Sequence, residues 1–437
     1  MPGDKSIAHR WLILAATARG RSELRGLPQG LDVKATARCL GGLLRGEARA
    51  ALDGWASDPA PEADRDRSTT NVPRPRGRDL VLETDGRPGL EPPPGPLDCS
   101  NSGTTMRLLA GVVAACGFAT LLEGDESLSS RPMERVAEPL RAMGAQVRTT
   151  RGGPPVQVRG GPLMGIEHRA AIPSAQVKGA VLLAGLAAEG QTTVFEPAPT
   201  RDHTERALAH LGAPIEAEAG RASVRAFQHG GLAGSVPGDV SSAAFLLAAG
   251  LLTGVSVTIV DVGLNPTRTR YLGVLERMGA RVHVHPQREE LGEPVGTLEV
   301  EPSSGLSGTT IEADELPLVI DEVPMLALLA AHARGETWFH GASELRIKES
   351  DRLSGVEATV RALGGFALVE GSGMVVGGGR LRGGIAPATR DHRIAMASVV
   401  AALGATEPVA IDGIEAAEVS FPAFVPALRA MGATIEG

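Results

Sequence analysis

Acid–base and anion-binding side chains gather in a few short stretches of the sequence. "PGDKSIAHR" offers Lys5, Ser6 and Arg10, and "NSGTTMR" offers Asn101, Gly103 and Arg107. "SAQVK" offers Ser174 and Gln176, "DEVP" offers Asp321, and "DHR" offers His392 and Arg393. Two more stretches have the same character: "SSRPMERV" with Arg131, and "ELRIKESDRL" with Lys348, Glu349 and Arg352. Lys and Arg grip phosphates and carboxylates through charge-assisted hydrogen bonds. Two carboxylates placed among them can divide acid and base work. The set therefore suits two anionic substrates and a proton transfer. Taken singly, each stretch is better explained by a helix cap or a solvated charge. Only four lysines occur (Lys5, Lys34, Lys178, Lys348), so arginine supplies nearly all the positive charge. The lysines are then candidates for places that need a compact, tunable ammonium, although chance suffices for any one of them.

The elements that must position these residues repeat. A phrase like Leu-x-x-Met-Gly-Ala recurs with its glycine at Gly144, Gly212, Gly279, Gly364 and Gly432. It reads as a helix closed by a left-handed Gly and followed by a strand. Six small-residue apolar segments precede or alternate with it: "DKSIAHRWLILAATA", "NSGTTMRLLAGVVAA", "SAQVKGAVLLAGLAA", "DVSSAAFLLAAGLL", "DEVPMLALLAAHA" and "DHRIAMASVVAALG". They are apolar nearly all round, which predicts buried helices, and their first turns carry capping residues. Regular recurrence points to internal duplication. The expectation is an α/β protein of six repeats, three in each of two domains, with sheets around buried parallel helices. Most of the chemistry-bearing residues then fall at equivalent repeat positions, which a set of unrelated caps does not explain.

Length and composition bound the rest. A chain of 437 residues exceeds one core and suggests two domains. The net charge of −8 argues against general nucleic-acid or anionic-membrane binding. No apolar run is long enough for a membrane span, and no secretory signal is expected. Cys39, Cys99 and Cys116 lack metal or disulfide spacing, so reduced thiols in an intracellular protein are expected. Residues from about 54 to 96, dense in Pro and charge, read as an inserted surface segment with one strand at "LVLET"; a structured lid is the alternative. "PGDKS" lacks the glycines of a P-loop.

Together "PGDKSIAHR", "NSGTTMR", "SSRPM", "DEVPMLA", "RIKESDR" and "DHRIAMA", in that order, resemble the EPSP synthase family of enolpyruvyl transferases. The resemblance covers nearly the whole chain outside the Pro-rich segment. It implies a two-domain inside-out α/β barrel of six βαβαββ-type repeats, with the active site in the interdomain cleft. The first lobe would be residues 6–236 and the second residues 1–5 plus 237–437. The implied reaction joins phosphoenolpyruvate to the 5-hydroxyl of shikimate 3-phosphate, without metal or other cofactor, in a cytoplasmic monomer. By the same resemblance Lys5, Ser6, Arg10, Ser174, Ala175, Gln176, Arg201, Asp321 and Lys348 bind shikimate 3-phosphate. Lys5, Asn101, Gly103, Arg131, Gln176, Glu349, Arg352, His392 and Arg393 surround phosphoenolpyruvate. Asp321 is the implied base for the hydroxyl, Glu349 the proton donor, and Lys5 a shared contact; His392 is expected to position rather than react. The two Pro-Gly-Asp phrases, near Lys5 and at Pro237, are the implied crossovers between lobes, about which closure would hinge. Three departures stand out: the first motif lies at the start of the chain, without the strand that usually precedes it; Ala175 replaces a Ser; and Val419 stands where some members have Lys. The first puts edge pairing in the second lobe in question. A UDP-N-acetylglucosamine enolpyruvyl transferase is the nearest alternative, but "EGDESLSSRPMERV" lacks the reactive Cys of that group. A non-catalytic anion-binding scaffold would not need Asp321 and Glu349.

Overall fold

The computed structural model describes residues 1–57, 77–303 and 305–436. The six apolar segments are helices: α1 (Lys5–Ala16), α2 (Gly103–Val113), α3 (Ala175–Gly185), α4 (Val240–Thr253), α5 (Val323–Ala330) and α6 (His392–Ala402). Side-chain oxygens of Asp4, Ser102, Ser174, Asp239 and Asp391 each accept a backbone N–H of the first turn, which satisfies donors a buried helix cannot give to water. α5 starts with a proline near its N-terminus instead and has no side-chain cap. The recurring glycines close their helices as expected, Gly144, Gly212, Gly279, Gly364 and Gly432 all adopting positive φ.

Around the helices lie sheets built to one scheme. In the second repeat Leu97–Asp98 pairs in parallel with Ala119–Glu123, reached through α2. Gly153–Arg159 then adds antiparallel to Ala119–Glu123, and Gln146–Thr150 pairs outside it. The repeats containing α3 and α5 have the same four-strand order. Among the described residues the other sheets of the scheme are smaller: three strands around Arg19–Leu27, three around Glu293–Glu301, and only Gly384–Ala386 with Val409–Ile411 beside α6. The strand expected after Gly432 is not formed within the described residues. The shortest sheet of the second lobe is thus the one beside α6.

Buried apolar side chains form two clusters, one from Ile7 to Val236 and one from Val240 to Leu428. Leu291, at the turn of the hairpin formed by Arg281–Glu290 and Glu293–Glu301, crosses over to join the first. The chain passes between the clusters at the two Pro-Gly-Asp phrases. Gly3 and Gly238 form an antiparallel bridge, Asp4 N–H donates to Pro237 O at 2.7 Å, and Asp239 N–H donates to Pro2 O at 2.8 Å. The phrase recurs because each copy crosses at the same place and caps the first helix beyond it.

The Pro-rich stretch requires a correction. Residues 58–76 lie outside the described residues, but both flanks are part of the fold rather than an insertion. Gly46–Ser57 is a helix that buries Leu52, Trp55 and Ala56. Arg78–Asp85 pairs antiparallel with Arg19–Leu27, burying Leu80 and Leu82. The strand at "LVLET" is therefore present and longer than expected. Arg87 then donates to Val112 O at 3.1 Å and Leu183 O at 3.0 Å, capping the carbonyl ends of α2 and α3. No helix among the described residues is long and apolar enough to cross a membrane, and all three cysteines are free and buried.

Close approach of α2 and α3 sets how tightly the helix ends converge. A Cβ on Gly111 would stand 2.2 Å from Ala180 O and 2.8 Å from its carbonyl carbon, a clash with backbone that no rotamer relieves. Gly111→Ala is expected to destabilise by about 1–3 kcal/mol. Gly117→Ala, with nothing within 4 Å, should stay within about 0.5 kcal/mol of the parent. Urea unfolding of the two variants checks this, and equal midpoints would contradict it.

Candidate active site between the lobes

Five of the six helix N-termini open onto one cleft of about 210 Å³. α1 brings Lys5 and Ser6, α2 brings Gly103 and Thr104, and α3 brings Ala175 and Gln176. From the second lobe come Asp321, just before α5, and Arg393, in the first turn of α6. The loops before the outer helices contribute Arg131, Arg201, Lys348 and Glu349. Among the described lining residues seven cations face four carboxylates, so the cleft favours anions, and the helix dipoles add to that preference. Several buried polar atoms here have no partner within the protein: Asn101 Oδ1, Asp32 Oδ1, Arg107 Nε, Arg131 Nε and His392 Nε2. Such atoms are rare in native interiors, where buried polar groups are nearly always hydrogen-bonded.

Four of the sequence-predicted residues stand behind the wall rather than on it. Arg10 is buried, donating from Nε to Thr204 Oγ1 at 2.7 Å and from Nη1 to Ser6 O at 2.8 Å. Asn101 precedes the N-cap of α2. His392 and Arg352 are 2% and 1% exposed, so neither can meet a ligand without movement. Arg352 acts through others: it binds Asp391 at 2.8 Å, Asp321 at 3.4 Å and Glu349 at 2.5 Å. Arg10, Asn101, His392 and Arg352 are therefore placed as supports of the wall in this arrangement.

The two carboxylates bridge the lobes. Asp321 pairs with Arg201 from the first lobe and lies 3.5 Å from Arg393 in the second. Glu349 lies 3.6 Å from Arg131, and its carbonyl accepts from Ser127 Oγ at 3.3 Å. Burial alone would raise both acids. The surrounding cations outweigh it: Arg201, Arg393, Lys348 and Arg352 hold Asp321 well below the usual carboxylate range, and Arg352, Arg131 and Lys5 do the same to Glu349. Burial lowers Lys348 and brings Arg107 down to about 9.

Residues that the motifs did not single out complete the site. Asp32 holds Lys5 Nζ at 2.8 Å. Glu344 reaches across to Arg135 at 3.5 Å. Gln176 is fixed between Arg107 and Thr104 Oγ1, the latter at 2.8 Å. An acidic residue in the first turn of a helix was the only signal available for Asp32. Lys178 lies elsewhere: it is buried between Glu196 and Glu205, at 2.7 Å from each, as a structural ion triad. Val419 sits where the second lobe touches the first, its carbonyl 2.4 Å from where a Cβ on Gly30 would lie. A larger hollow of about 570 Å³ lies near the carbonyl ends of α2 and α3, around Arg87, Cys116 and Phe227. It offers no carboxylate beside its cation, so the smaller cleft is the place for acid–base chemistry. No cluster of three metal-ligating side chains occurs among the described residues.

The chain matches the family described as EPSP synthase (3-phosphoshikimate 1-carboxyvinyltransferase) over residues 1–53 and 75–428. The unmatched interval falls inside the Pro-rich stretch. A relative from Acidithiobacillus ferrooxidans named 3-phosphoshikimate 1-carboxyvinyltransferase is 44% identical over 443 residues, covering 100% of this chain and 95% of its own. One of the same name from Halorhodospira halophila is 43% identical over 444 residues, covering 100% and 94%. The solved EPSP synthase of Acinetobacter baumannii is similar with a TM-score of 0.80 and 37% identity, covering 98% of this chain and 94% of that one. The enolpyruvyl transferase NikO of Streptomyces tendae shares the fold, with a TM-score of 0.74 at 20% identity over 99% of this chain and 94% of that one.

Burial, then Lys5, push His392 down to about 3, so it stays neutral through the working range. The unfolded imidazole takes a proton below about pH 6.5, whereas the folded one refuses it, so acid favours the unfolded state. His392 alone should therefore cost about 2 kcal/mol of stability between pH 8 and pH 5. His392→Gln is expected to flatten that part of the pH–stability curve by this amount. An unchanged slope in urea titrations would show that the ring is not held neutral.

Proposed function

The chain belongs to the EPSP synthase family, and from that premise we propose that its interlobe cleft transfers the enolpyruvyl group of phosphoenolpyruvate to the 5-hydroxyl of shikimate 3-phosphate, releasing phosphate. The observation that carries this reading is the pair of second-lobe carboxylates, Asp321 and Glu349, each held against a first-lobe guanidinium in a cleft with surplus positive charge. The enzyme works as a cytoplasmic monomer whose lobes are residues 6–236 and residues 1–5 with 237–437. Two hydrophobic cores joined at two crossovers support that division.

Carbon-3 of phosphoenolpyruvate gains a proton from Glu349 while the 5-oxygen attacks carbon-2 and gives its proton to Asp321. The carbon-2–oxygen bond to phosphate then breaks, phosphate leaving with the electron pair and taking the proton from Asp321, and the carbon-3 methyl returns a proton to Glu349 to restore the double bond. Lys5, Ser6, Ser174, Ala175, Gln176, Arg201 and Lys348 hold shikimate 3-phosphate, with Arg10 behind Ser6. Lys5, Gly103, Arg131, Gln176 and Arg393 hold phosphoenolpyruvate, with Asn101, Arg352 and His392 supporting them. Glu349 must be protonated to donate, yet in the cleft as it stands its cations keep it ionised. Incoming phosphates and carboxylate compete for Arg131 and Lys5, which frees Glu349 and raises its proton affinity. The same exchange makes Asp321 a better base when Arg201 and Lys348 turn to the substrate. Acid and base are thus armed by substrate binding, with the lobes closed and water excluded.

Glu349→Gln and Asp321→Asn should each keep shikimate 3-phosphate binding, followed by calorimetry, yet lose at least about two orders of magnitude in turnover. Near-normal rates in both would remove their assigned roles. Lys5→Ala should raise both Michaelis constants, and a change in one alone would reject the shared contact. A phosphate-release assay with phosphoenolpyruvate tests the reading as a whole. Turnover with shikimate 3-phosphate and none with UDP-N-acetylglucosamine is the expected result, and the reverse would overturn it.

A further inference from the structure

One buried cation outside the cleft touches both crossovers. Arg268, in the stretch Asn265-Pro266-Thr267-Arg268, is 2% exposed. One end of its guanidinium donates to Asp4 at 3.0 Å and to His203 Nε2 at 3.1 Å. The other donates to Ser241 Oγ at 2.7 Å and lies 3.4 Å from Asp239. Its two principal acid partners are the aspartates of the two Pro-Gly-Asp phrases, which cap α1 and α4. Arg268 can only donate, so His203 Nε2 accepts and the ring proton sits on Nδ1, directed to Glu293 at 2.6 Å. Asn265 closes the group, donating to Asp202 at 2.7 Å and Glu293 at 2.8 Å.

Each arm of this hub ends one or two residues from the cleft. Asp4 precedes Lys5. His203 and Asp202 follow Arg201. Ser241 Oγ donates to Glu322, the neighbour of Asp321. α4, the one central helix whose N-terminus does not line the cleft, faces Arg268 instead. We propose that Arg268 is a positioning residue for the transfer reaction: its fork pins both crossovers at the pivot and so sets the register in which Lys5, Arg201 and Asp321 meet when the lobes close. This inference rests on the proposed activity. A planar fork spans four acceptors in fixed directions, which a lysine ammonium does not.

Arg268→Lys and Arg268→Met are compared with the parent by thermal unfolding, by calorimetric binding of shikimate 3-phosphate, by steady-state kinetics, and by the change in radius of gyration on adding shikimate 3-phosphate with phosphoenolpyruvate. The Lys variant should recover much of the stability lost in the Met variant, because it keeps a cation beside Asp4 and Asp239. It should nevertheless lose roughly 10- to 100-fold in kcat, with shikimate 3-phosphate affinity within about threefold and a reduced ligand-induced compaction. If Arg268→Lys restores kcat as well as stability, charge alone matters and the positioning role is overturned. Should neither variant fold, Ser241→Ala removes one acceptor of the fork and is expected to lower kcat about 3- to 10-fold at unchanged shikimate 3-phosphate affinity; parental kcat there overturns the proposal. Absence of turnover in the parent overturns the underlying activity and this inference with it, whereas parental turnover matched by Arg268→Lys sinks the inference alone.

Discussion

Asp321 is shared between Arg201 of one lobe and Arg352 and Arg393 of the other. Much of the site's arrangement follows from that shared carboxylate. Cations set beside the amino ends of buried helices, which are themselves partly positive, would repel one another across a narrow gap unless something negative lay between them. Asp321 and Glu349 meet that need within the protein, and anionic ligands meet it in the proposed reaction. In the proposed reaction the same charges serve cohesion and catalysis in turn, because a carboxylate relieved of its guanidinium regains its affinity for a proton.

The cost of burying so much charge is offset by partners in layers. Lys5 has Asp32, Arg352 has Asp391, and Lys178 has Glu196 with Glu205. Burial would raise Asp4, but the Arg268 guanidinium brings it down to about 2, so this cap stays ionised over the range in which the protein works. Asp239, farther from the same guanidinium and beside Asp4, is raised by burial.

Helix packing supplies the rigidity that such charges require. Small residues let the central helices approach until Gly111 abuts the backbone of Ala180, which points their first turns at a common space. Among the described residues the sheets around them differ more than the helices do, from four strands beside α2, α3 and α5 to two beside α6. The helices set the site, and the sheets mainly cover them.

The sequence by itself determined the local features: the six apolar helices, their Asp and Ser caps, the left-handed glycines and the types of residue that face the cleft. These depend on neighbours within a few positions, and capping, periodicity and positive φ can be recognised at that range. Pairings between distant residues were decided only by the tertiary structure. Lys5 meets Asp32 across 27 residues, Arg201 meets Asp321 across 120, and Arg268 meets Asp4 across 264. The motif reading likewise set Arg10, Arg352 and His392 beside the ligands, whereas packing puts them behind the wall, because burial depends on what the other elements cover. The strand at "LVLET" was legible in the sequence, but its place in the fold was not, for the same reason: Leu80 and Leu82 are covered only because Arg19–Leu27 supplies the edge they pair with.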